Sequence, residues 1–185
     1  EPARSLALVA SGGHSSWYLI AAGERRRLGR TRDDAAGESF DKVAQVLGLA
    51  YPGGPVLDRL ARGGDAQAVP LPRPRIREAP FDFSFSGPKS AAIRWIREHR
   101  LAGAGEGSPA VADVAAAFEA AVVDLLLAPL DELAARHRPQ LVTAAGGVAA
   151  NTLLRRRLQA WGATHGVEVL LAPPALTTDN AAMIA

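Results

Sequence analysis

Cysteine is absent from this sequence. Its absence excludes a disulfide framework, a thiol nucleophile and a thiolate metal site, and it suits a cytoplasmic protein. Lysine is nearly absent too: Lys42 and Lys89 are the only two, so the 21 basic residues set against 19 acids are almost all arginine. A formal net charge of +2 gives no strong field of one sign, and the arginine excess alone is not the footprint of a nucleic-acid binder. Histidine is scarce: His14, His99, His137 and His165 are the four, and no two lie four residues apart as a helical metal-binding pair would require. No apolar run approaches the length of a membrane span and no signal peptide is visible, so no membrane partner is expected. What is present is 185 residues, 48% of them hydrophobic, enough to fill the core of one large domain or two small lobes. The chain starts at Glu1 rather than Met and stops at Ala185 within a helix-like pattern, and it reads as a segment of a longer protein.

The stretch from Asp33 to Leu60 is the centre of the reading. Phe40, Val43, Ala44 and Leu47 recur with helical period, Gly48 suits a left-handed C-cap, and Tyr51-Pro52-Gly53-Gly54-Pro55 forces a turn. Asp33 or Asp34 is expected to cap the first helix, and Pro55 to open the second. The apolar stripe leaves Asp41 and Asp58 unexplained. Each lies near an end of this unit, beside a double glycine that lets another molecule approach the backbone. Two carboxylates and a bare loop fit the hydroxyls of a ribose; they fit equally two solvated helix acids and an ordinary loop.

Before this unit, Leu6–Ala10 reads as a buried strand, and Ser11-Gly12-Gly13-His14 follows at once. Such a turn can present backbone N–H groups to phosphate oxygens, or simply turn a hairpin. Residues 17–22 and 25–32 read as a hairpin whose second strand lies at an edge. Residues 62–80, rich in Gly, Pro and Arg, read as a surface loop, with the loop region taken as 61–80. Residues 81–87 alternate aromatic with polar like a strand, and a helix follows to about Arg100, with Ser84, Ser86 and Lys89 at the junction. A long helix from Pro109 to Arg136 is expected to be divided at Pro129. Gln140–Ala145 reads as a buried strand leaving through Gly146-Gly147, followed by helix, strand 167–172, turn, and a last helix from about Asp179. A strand thus runs into a Gly-Gly turn twice, which predicts an α/β layer fold with ligand beyond the carboxyl ends of the strands.

SGGHS, DDAAGESFDKVAQVLGLAYPGGP, FDFSFSGPK, AAGGVAAN and TTDNAAMIA, in this order, resemble the tRNA N6-adenosine threonylcarbamoyltransferase family over nearly the whole chain. The resemblance implies the two-lobed actin-like ATPase and sugar-kinase type of fold, with residues 1–185 forming largely one lobe and its nucleotide site. It implies transfer of the threonylcarbamoyl group from threonylcarbamoyl-adenylate to N6 of the adenosine just 3′ of the anticodon, in tRNAs reading codons that begin with A. Carried over by motif, Ala10, Ser11, Gly12, Gly13 and His14 surround the phosphate. Asp41, Gly54 and Asp58 take the ribose side, Asn151 the nucleoside, and Asp179 is a carboxylate ligand to one divalent metal, iron or zinc. The other two ligands of the family are histidines four apart; this chain has no such pair, so they are expected before Glu1, in a first lobe that this segment lacks along with the C-terminal tail. Implied partners are tRNA, a paralogous non-catalytic subunit of the same fold, a small ATPase subunit, and a separate enzyme supplying the adenylate.

Other readings remain open on the residues alone: a small-molecule O-carbamoyltransferase or a kinase of the same fold, or a non-catalytic lobe that binds nucleotide and partner. Arg25–Arg27 and Arg155–Arg157 fit either tRNA phosphates or solvated faces. Trp17, Trp95 and Trp161 read as core, and His99, His137 and His165 as surface.

Overall fold

The computed structural model describes residues 4–177; Asp179 and the last helix expected around it lie outside the described residues. Five strands form one mixed sheet in the order β3-β2-β1-β4-β5. These are β1 (Arg4–Ala10), β2 (Ser15–Ala21), β3 (Glu24–Arg30), β4 (Leu141–Ala145) and β5 (Glu168–Leu171). The first three form an antiparallel meander, while β4 runs parallel to β1 and β5 parallel to β4. The α-helices among the described residues are α1 (Ala36–Leu47), α2 (Gly53–Ala61), α3 (Ser86–Glu98), α4 (Pro109–Leu127), α5 (Leu130–His137) and α6 (Thr152–His165). The two strand-exit turns expected from sequence belong to one sheet and leave neighbouring parallel strands, β1 and β4, at the same edge.

Register decides which face is covered. Leu6 pairs with Val142 and Leu8 with Ala144 and Trp17, so these side chains share one face of the pleat. That face is fully buried against the helices. Trp17 also donates its indole N–H to the Leu126 carbonyl of α4 at 2.9 Å, so its polar atom is satisfied inside the core. Each of these large side chains contributes roughly 1.5–3 kcal/mol by leaving water. The long helical pattern does divide beside Pro129, between α4 and α5. Gly48 takes the left-handed conformation expected of it, with φ 76°.

Three local expectations are corrected. Neither Asp33 nor Asp34 caps α1. The cap position is Ala35; Ser15 Oγ accepts from Ala36 N at 3.0 Å, and Glu38 reaches back to Ala35 N. Asp33 instead holds the start of α3, accepting from the Phe85 N–H at 2.8 Å and from the hydroxyls of Ser84 and Ser86 at 2.6 and 2.7 Å. That clamp explains the second correction. Residues 81–87 are not a strand but one isolated bridge, Thr31 to Phe83, because the chain is drawn into α3 as early as Ser86 while Phe83 and Phe85 enter the core. Third, α2 opens at Gly53 rather than Pro55.

The segment 62–80 is irregular, as expected, yet Val69 and Leu71 anchor it to the core. Arg25–Arg27 lie exposed along the edge strand β3. The second arginine run is largely committed inside the fold: Arg155 donates to the carbonyls of Ala149 and Ala172, and Arg157 pairs with Asp124. Trp17 is core; Trp95 and Trp161 are half-buried and stack on His99 and His165 one helical turn away.

Candidate functional site

A cavity of about 460 Å³ opens where β1 and β4 end. Gly12 lines it from the first Gly-Gly turn and Gly147 from the second. Of the other predicted residues, Asp41 of α1, Gly54 and Asp58 of α2, and Asn151 before α6 also line it. The two turns touch because Gly146, at φ 93°, sits against the Ala10 backbone where a side chain would collide. Gly37 packs as closely on the Ser11-Gly12 peptide, and its N–H donates to the Ser11 carbonyl at 3.1 Å. The first turn of α1 is thereby docked on the loop that ends β1.

Three polar residues around the cavity serve as helix caps. Asp41 Oδ1 accepts from Gly53 N at 2.7 Å, at the start of α2. Asp58 Oδ1 accepts from both the N–H and the hydroxyl of Thr152, at 2.6 and 2.7 Å, at the start of α6. Asn151 is the N-cap of that same helix and accepts from Leu154 N at 2.9 Å. The N-termini of α1, α2 and α6 therefore converge on one wall. Their partial positive charge is met by the carboxylates of Asp41 and Asp58 on the same wall.

The predicted phosphate loop is only partly bare. Ser11 Oγ accepts from the N–H groups of Gly13 and His14 at 3.3 and 3.1 Å, and Ser11 N donates to the His14 carbonyl. Gly12, Gly13 and His14 are exposed, and no atom lies within 4 Å of where a Cβ on Gly12 or Gly13 would stand. Ala10, Ser11, Gly13 and His14 do not line the cavity. Among the described residues no group of three His, Cys, Asp or Glu side chains is placed to hold a metal.

Sequence reading missed Arg59, Arg62 and Glu119. Arg59 and Arg62 line the cavity; Arg62 pairs with Asp58 at 3.1 Å, and Arg59 makes a two-pronged ion pair with Glu106 at 2.7 and 2.9 Å. Glu119 is buried behind Asp58 and Asn151 and accepts from Asn151 Nδ2 at 2.6 Å. Burial raises its carboxyl to about 7, against the pull of that hydrogen bond and with the help of the neighbouring Asp58. The signal was there: Glu119 falls on the apolar stripe of α4, one turn from Ala115 and Val123, where an acid has no reason to be unless partnered.

The sequence model of the family described as TsaD, tRNA N6-adenosine threonylcarbamoyltransferase, matches residues 1–185. A protein of that name from Moorella thermoacetica is 50% identical over 184 residues, covering 99% of this chain and 53% of its own length. One from Thiobacillus denitrificans is 50% identical over 182 residues, covering 97% and 51%. The chain thus spans about half the length of the relatives it matches. Among solved structures, full-length HypF in its phosphate- and nucleotide-bound form superposes with a TM-score of 0.66 at 12% identity, over 96% of this chain and 37% of HypF. Component A of (R)-2-hydroxyglutaryl-CoA dehydratase from Acidaminococcus fermentans gives 0.50 at 19% identity, over 91% and 55%. These likenesses give the fold class: α/β, of the actin-like ATPase and sugar-kinase type.

Proposed function

The chain belongs to the tRNA N6-adenosine threonylcarbamoyltransferase family, and we propose on that premise that it carries the nucleotide-holding half of such a transferase. The observation that carries the reading is the cavity between two Gly-Gly turns, walled by Asp41, Asp58 and Asn151. In this reading the cavity takes the adenylate part of threonylcarbamoyl-adenylate. The backbone from Ala10 to His14 faces the phosphate, with open space beside Gly12 and Gly13. Asp41 and Asp58 accept from the ribose hydroxyls beside the bare backbone of Gly54, and Asn151 meets the nucleoside. Asp41 keeps its helix-cap bond while doing so, because its carboxylate has more lone pairs than the cap uses, and Asp58 accepts on Oδ2 in exchange for its ion pair with the exposed Arg62.

The reaction is acyl transfer. N6 of the adenosine just 3′ of the anticodon attacks the carbamoyl carbon, the bond to the phosphate oxygen breaks, AMP leaves, and the amine gives up a proton. That amine is a weak nucleophile, so holding the activated group beside it is the main task of the protein. The exposed backbone at Gly12 is the bare element left to face the negative charge that gathers on the departing phosphate. Asp179 is read as one ligand of a divalent metal, iron or zinc, whose two histidine ligands lie outside this chain; such an ion, when bound, polarises the carbonyl and offsets phosphate charge. The substrate tRNAs are those reading codons that begin with A. The paralogous subunit, the small ATPase and the adenylate-forming enzyme complete the proposed partners, and the proposed location is the cytoplasm. Among the described residues no helix is long and apolar enough to cross a membrane.

Calorimetry of ATP and AMP against the full-length protein tests the reading, with Asp58→Ala as control. Binding in the micromolar to millimolar range that weakens in the variant is expected. No binding by either nucleotide at millimolar concentration would show the site assignment to be wrong.

A further inference from the structure

Among the described residues only two carboxyl side chains are buried, Asp58 and Glu119, and they are neighbours. Two acids in contact away from water cannot both ionise without a large penalty, so one proton stays with the pair. The partners of each acid settle which one keeps it. Asp58 already accepts from three donors, Thr152 N, Thr152 Oγ1 and Arg62. Glu119 accepts one hydrogen bond, from Asn151. The proton therefore belongs to Glu119, which donates it to Asp58.

We propose that Glu119 is a positioning residue of the nucleotide site: its neutral carboxyl bridges Asp58 and Asn151, fixes both on the cavity wall, and loosens the site when it ionises. The proposal rests on the reading of the cavity as a nucleotide site. Glu119 itself does not line the cavity and acts through the two residues that do. The charged groups facing it are few. From α2 come Asp58 and, behind it, Arg62; from α6 comes Arg156; on α4 its neighbours one turn away, Ala115, Ala116, Val122 and Val123, carry no charge. Ionisation deletes the bond to Asp58 and sets two like charges in contact. It also adds a negative charge behind the wall that faces the phosphate. Both effects weaken the hold on an anionic nucleotide. Burial, with Asp58 reinforcing it, places the change near neutral pH.

The probe is the methyl ester of AMP, a phosphodiester whose single charge does not change between pH 6 and pH 8.5, unlike that of AMP. Its affinity for the full-length protein is measured across that range by calorimetry. The wild type is expected to weaken by roughly fivefold, the effect of one added charge several ångströms from the phosphate. Glu119→Gln is the decisive variant, because its amide donates to Asp58 and accepts from Asn151 without titrating. It should hold the pH 6 affinity throughout. A purely structural role would give wild type and variant parallel profiles, and parallel profiles overturn the proposal. A flat wild-type profile overturns it as well, whether or not the variant folds. Failure of the diester to bind at any pH overturns the nucleotide reading and this proposal together, whereas binding without pH dependence overturns this proposal alone.

Discussion

Asp41 and Gly53 are joined by a 2.7 Å hydrogen bond from the glycine N–H to the aspartate carboxylate. The bond spans the turn between α1 and α2 and stands in for the side-chain cap that Pro52, at the N-cap position, does not supply. A cap of this kind contributes about 1 kcal/mol. Asp41 also lines the cavity, so two roles meet in one carboxylate. Asp41→Ala should lower the melting temperature modestly and weaken nucleotide binding about tenfold, the effect of a lost hydrogen bond to a charged group. Asp41→Asn keeps the cap acceptor and should restore stability but only part of the affinity. Full recovery of binding in the asparagine variant would reduce Asp41 to a cap.

Asp33 offers a purely structural contrast. Burial pushes its carboxyl up, but the hydrogen bonds from Ser84, Ser86 and the Phe85 backbone outweigh that and hold it below the usual aspartate range. A lowered folded-state value means that its contribution is present above the unfolded value, near 3.8, and is lost as pH falls through the folded one. Asp33→Ala should destabilise the protein by about 2 kcal/mol, read as a shift in the denaturation midpoint, and should leave nucleotide affinity at neutral pH unchanged. An equal loss of affinity and stability would mean that the clamp on α3 also shapes the cavity.

Much of this was legible in the sequence because it rests on period and punctuation. The strand-like runs at Leu6–Ala10 and Gln140–Ala145, each leaving through a Gly-Gly pair, predicted adjacent strand ends, and the sheet order places them side by side, although the second run is buried only at Val142 and Ala144. Gly48 and Pro129 marked helix ends by backbone chemistry that context does not override. What was not legible depends on partners distant in the chain. Asp33 stands beside α1 in sequence but caps α3 more than 50 residues on. The aromatic alternation at residues 81–87 has a strand's period but no second strand to pair with over its length. Glu119 was hidden because its partners, Asp58 and Asn151, come from two other elements.

Glu119 should reverse the pH trend that Asp33 sets. Its folded-state value, about 7, lies above its ordinary 4.5, so the folded protein holds the proton more tightly than the unfolded chain. Its contribution is therefore full below pH 4.5 and lost as pH rises to about 7. Glu119→Gln should flatten that limb of the stability curve, measured by urea denaturation at pH 5, 6 and 7. A variant curve parallel to the wild type would place the proton elsewhere.

Asp179 lies outside the described residues, and its test is one of composition. In the full-length protein, Asp179→Asn should lower metal content by elemental analysis and cut single-turnover transfer by orders of magnitude while leaving the melting temperature near wild type. Asparagine caps a helix as well as aspartate but lacks the charge a metal ligand supplies. Wild-type metal content and rate in this variant would make Asp179 a helix cap only.

The glycines around the cavity separate fold from ligand most sharply. A Cβ on Gly37 would stand 2.8 Å from both Gly12 N and the Ser11 carbonyl oxygen, closer than real packing allows. Gly37→Ala must therefore push α1 off the loop, lowering stability and binding together. Gly12 and Gly54 differ, since each lines the cavity and neither has any atom within 4 Å of the added methyl. In the empty protein Gly12→Ala has nothing to strike, and Gly54→Ala, in the first turn of α2, removes chain entropy from the unfolded state and should stabilise by roughly 0.5 kcal/mol. If a phosphate and a ribose lie against these two backbones, the same methyl groups occupy the ligand's space. Both variants should then melt at or above the wild-type temperature and yet bind adenine nucleotide at least several-fold more weakly. The pair Gly12→Ala and Gly37→Ala makes the comparison internal, because the two methyl groups are added on either side of one peptide. Unchanged affinity in Gly12→Ala and Gly54→Ala, with stability intact, would mean that the nucleotide does not touch the glycine turns, and the cavity would have to hold some other part of the substrate.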